Sequence, residues 1–146
     1  MLPDPAITTV AHVIQWAVAP VFLLTGVGAI LSVLTNRLAR IVDRARVIES
    51  RLTNSAQEQQ AVFNLELDVL ARRSRLINLA ISLCTTSALL ICIVIAALFV
   101  GAFLVMDVSS AIALLFVVAM LALIGGLINF LREIHLATTS MRIGAK

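Results

Sequence analysis

Apolar and polar positions divide the 146-residue chain into three long apolar runs, broken once by an arginine-rich stretch and once by a short polar turn. Ala11 to Leu34 carries no formal charge, with His12 neutral, and its 24 residues exceed the roughly 20 that cross the hydrocarbon core as a helix. Leu76 to Met106 is a second uncharged run of 31 residues, long enough that it must tilt or emerge at one end. Ala111 to Leu131 is a third, of 21 residues. The link between the last two, Asp107 to Ser110 (DVSS), is short enough to allow only an antiparallel connection. Pro20 falls inside the first run, where a membrane helix bends rather than stops, and Trp16 is placed as an interfacial anchor near its outer end.

Between the first and second runs the pattern changes. In Thr35 to Leu52 (TNRLARIVDRARVIESRL), Leu38, Ile41, Ala45, Ile48 and Leu52 share one face of a helix at about 100° per residue. Arg37, Arg40, Arg44 and Arg51 share an adjacent face, and Asp43 and Glu49 each stand three residues from Arg46, within pairing reach. Thr53 to Gln60 (TNSAQEQQ) reads as a polar turn in which Ser55 and Glu58 have capping-box spacing. The helix that follows offers Val62, Leu65 and Val69, with Phe63, Leu67 and Leu70 beside them, as a matching apolar face, and Arg72, Arg73 and Arg75 mark its return to the membrane. The pattern predicts an all-α integral membrane protein, residues 1–146 forming one membrane domain. Its three transmembrane helices cover about 11–34, 76–106 and 111–131, with a cytoplasmic antiparallel helical hairpin at about 35–75. Arg132, Glu133, His135 and Arg142 follow on an amphipathic or frayed tail.

Composition agrees with that class: 61% of residues are hydrophobic and 13% charged, against about 45–50% apolar in soluble domains. The excess of positive charge reports topology. Residues 35–75 hold eight arginines and the tail after 131 holds Arg132, Arg142 and Lys146, whereas the N-terminal lead and the DVSS turn hold no Lys or Arg. The positive-inside rule then places the N-terminus outside and the C-terminus in the cytoplasm. Basic residues gathered at membrane edges, with no aromatic-studded basic surface, argue against nucleic acid as a partner. The opening Met1 to Ala6 (MLPDPA) has an acid and no base, so the first run is expected to remain in the mature protein. Cys84 and Cys92, about 12 Å apart along a helix axis, are out of disulfide reach and read as small hydrophobes.

Two sets of residues are candidates for function. Thr25, Gly28 and Ser32, continued by Thr35 and Ala39, recur at spacings of three and four, and on the second span Ser74, Asn78, Ser82, Thr85 and Cys92 fall within an arc of about 80°. Faces of this kind either let helices pack closely or line a water-filled path. The second set is Arg37, Arg40, Arg44, Arg46, Arg72, Arg73 and Arg75, which either form a solvated helical face or contact anionic lipid headgroups, an anionic ligand or neighbouring subunits.

Catalytic chemistry is not signalled. The sequence has no HExxH, no Cys and His cluster at metal-ligand spacing, no glycine-rich phosphate loop and no serine beside a suitable base. No acidic residue falls within the expected spans, which argues against a proton-coupled transporter. No cofactor, metal or catalytic residue is therefore expected, and the chain is read as a non-enzyme.

Two stretches carry a family resemblance: Ser32 to Arg46 (SVLTNRLARIVDRAR), which ends the first span, and Glu66 to Ile81 (ELDVLARRSRLINLAI), which leads into the second. With them the chain resembles, over nearly its whole length, small bacterial three-span membrane proteins known as a domain of unknown function. The resemblance implies three helices with a cytoplasmic hairpin and brings no activity, cofactor or catalytic residue. The expectation is a homo-oligomer among membrane lipids that forms a channel-like assembly for ions or small solutes. The alternative is a non-conducting scaffold or regulator whose hairpin binds a cytoplasmic protein partner or anionic lipid.

Overall fold

The computed structural model describes residues 5–52, 57–104 and 109–143, and in these three stretches the chain is entirely α-helical. The helices are α1 (Pro5–Leu52), α2 (Gln57–Leu104) and α3 (Ser109–Ile143). Helices are the expected outcome for apolar segments of this length, because in hydrocarbon every backbone N–H and C=O must be satisfied within the segment. All three are long and apolar enough to cross a membrane, over Thr8–Leu52, Gln59–Ala102 and Ser109–Thr138. Only 22%, 22% and 17% of their most apolar windows are buried within the chain, so most of the apolar surface faces outward. A surface of that kind is stable against hydrocarbon and not against water, and the protein is a multi-pass membrane protein.

α1 and α2 each run unbroken through an expected span and its adjoining hairpin arm. With 48 residues each, α1 and α2 are more than twice the length needed to span. Of the two forms expected for the tail after 131, amphipathic or frayed, the chain is helical as far as Ile143. Pro20 is buried inside α1, which continues on both sides of it. The turn holding Ser55, and the Asp107 and Val108 part of DVSS, lie outside the described residues; Ser109 and Ser110 already belong to α3.

Burial follows a seven-residue repeat in every helix. On α1 the buried positions are Ala17, Pro20, Val27, Leu34, Ile41 and Ile48. On α2, Leu70, Ile77, Cys84 and Ile91 form one such series and Ala80, Ser87 and Val94 another; on α3 the positions are Ala119, Leu123, Gly126, Glu133 and Ala137. A repeat of seven brings the same face back every two turns, as in a coiled-coil seam.

The chain forms two compact units. One is made of Met1–Ile30 with Leu83–Ile124. Its core holds Val27, Cys84, Ile91, Val94 and Ala119, and Ser87 Oγ donates a 2.7 Å hydrogen bond to the Ala119 carbonyl, tying α2 to α3. Cys84 and Cys92 are both free thiols, the first buried and the second exposed. The other unit, Leu31–Ser82 with Gly125–Lys146, adds a segment of α3 to the two arms expected to pair with each other.

In this second unit α1 presents the expected face, since Ile41 and Ile48 are buried and Leu38, Ala45 and Leu52 are half-buried. The expected face of α2 is displaced. Val62 and Leu65 are 63% and 68% exposed and Val69 is exposed, whereas Leu70 is buried and Phe63 and Leu67 are half-buried. Extending the repeat of Ile77 back through Leu70 reaches Phe63, so the inward line passes beside Val62 and Leu65, not through them.

Candidate functional site: a carboxylate between two arginines

Glu133 occupies one of the inward positions of the α3 repeat and has 0% of its surface exposed. A carboxylate removed from water in this way needs cationic partners and hydrogen bonds, and α1 and α2 supply them. Arg73 of α2 donates from Nε at 3.1 Å and Nη2 at 2.9 Å, both to Glu133 Oε1. Arg37 of α1 brings Nη2 to 3.0 Å from Oε2. That second contact is an ion pair without hydrogen-bond geometry, and Oε2 accepts no hydrogen bond. The Arg37 guanidinium also lies 5.5 Å from the centre of the Phe130 ring, three residues before Glu133 on the same helix, within cation–π range. One carboxylate thereby joins all three helices, and the cluster keeps one net positive charge.

A second ion pair joins α1 to α2 farther along. Arg44 donates from Nε at 3.1 Å and Nη2 at 2.8 Å to Glu66 Oε1. Both partners are substantially exposed, so this pair contributes little to stability. Arg46, expected to pair with Asp43 and Glu49, is exposed, and it is Arg44 that makes the described ion pair to α2. Arg40, Arg72 and Arg75 are exposed as well.

Beside the buried carboxylate lies an open groove of about 540 Å³. Asn36, Arg37, Arg40, Arg44 and Arg73 provide its polar lining, and Val33, Ile41 and Leu70 its apolar lining. Of the seven candidate arginines, the fold gathers four here. Arg46 instead lines a groove with Glu49 and Asp68, and Arg72 and Arg75 line a third with Asp68. Among the described residues, no three His, Cys, Asp or Glu side chains are grouped so as to hold a metal ion.

The small and polar candidates lie on the outside of the chain. Thr25, Gly28, Ser32, Asn78, Ser82 and Thr85 are all exposed. Thr25 and Thr35 turn their hydroxyls back to the carbonyls of Val21 and Leu31 in their own helix, at 3.3 and 2.9 Å. A Cβ built on Gly28 would meet nothing within 4 Å. Within the chain, close helix packing uses other small residues: Ala17, Ala80, Ser87, Ala119, Gly126 and Ala137. Asn129 donates to the Gly125 carbonyl of its own helix at 2.8 Å.

Sequence reasoning misses Glu133. Arg132 ends the uncharged run and so places Glu133 on a tail, yet Ala119, Gly126 and Glu133 are seven residues apart and share a face. Continuing the period one heptad past the charge turns Glu133 inward, toward the arginines on the other two helices.

A family model described as a protein of unknown function (DUF2721) matches residues 17–143. No curated protein and no solved structure matches the chain. The matched segment contains α1 from Ala17 onward, all of α2 and α3, and the buried carboxylate with both of its arginines, and the chain belongs to the DUF2721 family, as a small three-span membrane protein.

Proposed function

We propose that the chain is the subunit of a homo-oligomer in the bacterial inner membrane and acts as a non-conducting scaffold or regulator. Its N-terminus is outside, and the arginine-bearing ends of its three helices stand in the cytoplasm as a docking surface for a soluble protein. The orientation rests on the positive charge, all of which lies in 35–75 and after 131.

The observation that carries the assembly is the outward position of Thr25, Gly28 and Ser32, with open space over Gly28. Small residues on a lipid-facing surface permit close approach of another helix. Hydroxyls already bonded to their own backbone suit a dry helix contact at least as well as a water path.

The second reading is a channel-like assembly for ions or small solutes, favoured by Asn78, Ser82 and Thr85 also facing outward. Against it, these residues lie only in the part of the apolar stretch of α2 that is nearest its arginines. From Ala88 to Leu104 that helix has no polar side chain apart from the Cys92 thiol, so a path along it would meet an apolar barrier over more than half the bilayer.

Mass measurement in lipid nanodiscs and current recording in planar bilayers test both. Oligomers that stay silent support the scaffold. Currents reduced by changes at Asn78 or Ser82 support the channel, and a monomer in lipid overturns both.

A further inference from the structure

The arginine groove within the second unit has more cationic charge than the protein neutralises. Arg37 and Arg73 share Glu133, and Arg44 is held by Glu66. Four guanidiniums against two carboxylates leave two positive charges facing the same open space. Arg40 has no ion-pair partner among the described residues. The other arginine-lined grooves differ: one has Arg46 opposed by Glu49 and Asp68, the other Arg72 and Arg75 opposed by Asp68. Of these three, the first combines a double positive surplus with Asn36 as a neutral hydrogen-bonding group.

We propose that this groove binds a phosphate group, and that the phosphate is that of an anionic lipid headgroup. Guanidinium forks match phosphate oxygens in pairs, and Arg40 with the unengaged nitrogens of Arg37 and Arg44 provides donors from one helix face. The lipid source follows from the order of the lining residues along α1, from Val33 to Arg44. Val33 is 49% exposed and belongs to the apolar run, while Arg37 is the first charge after it. From Val33 to Arg44 is about 16 Å along the helix, which covers the passage from the edge of the hydrocarbon through the headgroup layer. A lipid can lay the start of an acyl chain on Val33 and its phosphate among the arginines, whereas a free anion has no use for the apolar end. The groove lies in one chain, so the site does not depend on how copies assemble.

The test is native mass spectrometry of the full-length protein exchanged into phosphatidylglycerol, into phosphatidylcholine, and into detergent with inorganic phosphate. The expected result is retention of phosphatidylglycerol on each chain in preference to phosphatidylcholine. Arg40→Gln should weaken it about fivefold, and Arg40→Gln with Arg44→Gln more than tenfold. Arg46→Gln, which removes the same charge from the same helix outside the groove, should change it less than twofold, and Arg40→Lys should recover part of the loss. Equal weakening by Arg40→Gln and Arg46→Gln would overturn the site in favour of a diffuse surface field. Binding of inorganic phosphate with the same Arg40 dependence, without preference for phosphatidylglycerol, would keep the phosphate site and overturn the lipid as its occupant. The spectra also give the subunit number, so a failure to assemble is seen separately from a failure to bind lipid.

Discussion

Arg73 places two hydrogen bonds on a single oxygen of Glu133, while Arg37 meets the other oxygen by charge alone. The two arginines are therefore unequal partners of one buried acid. Arg73→Ala should destabilise the protein more than Arg37→Ala. Removing both leaves an uncompensated buried charge, at a cost of about 3–5 kcal/mol. Adding Glu133→Gln to that double variant should recover most of the loss, because the stranded charge is gone. Thermal unfolding of the four variants in one detergent gives the cycle, and a third substitution that fails to restore stability would show that the arginines act by packing.

Ile48 and Leu65 distinguish the inward lines of α1 and α2. Ile48 is 2% exposed and Leu65 68%. Ile48→Asp should cost several kcal/mol, as an unpaired buried charge, whereas Leu65→Asp should remain within about 0.5 kcal/mol of the parent. Comparable losses in a chemical unfolding series would mean that both faces are covered.

Ser87 binds the Ala119 carbonyl from a fully buried position. Ser87→Ala should cost about 0.6–1.7 kcal/mol, the range for a polar contact between membrane helices. Ser87→Val should cost a further 1–3 kcal/mol or so by overpacking against a buried alanine. Melting temperatures in a fixed lipid mixture read both, and a stabilised Ser87→Val would show spare room at the seam.

Gly28 separates folding from assembly. With nothing within 4 Å of its added Cβ, Gly28→Leu should leave the single chain as stable as before or gain up to about 0.8 kcal/mol from helix propensity. Copies that pack on this face should be forced apart. A smaller mass in nanodiscs at unchanged melting temperature is the expected outcome, and an unchanged subunit number would place the contact elsewhere.

Three helices were legible because uncharged runs of more than 20 residues admit little else. The inward face of α1 was legible too, since Leu38, Ile41, Ala45, Ile48 and Leu52 have no competing apolar line beside them. On α2 the competition was real. Residues 61–71 are apolar on nearly every side, and at that density Val62 and Leu65 match the helical period as well as Phe63 and Leu70 do. What decided between them was the phase set by Ile77, Cys84 and Ile91 inside the span, together with the third helix packed on the pair. Glu133 was hidden for a related reason. A formal charge marks the end of a hydrophobic run, but not the end of a helix or of its inward face.

The seven-residue repeat also limits how this chain can change length. Adding or removing one residue in α1 between Ile41 and Ile48 would swing every side chain beyond it by about 100°, exposing the seam and moving Ile48 to the surface. Loss of seven residues before Arg44 would bring the same face back, although the partner arm would need the same excision to keep Arg44 opposite Glu66. The arms can thus lengthen or shorten only in matched two-turn steps, each about 10.5 Å.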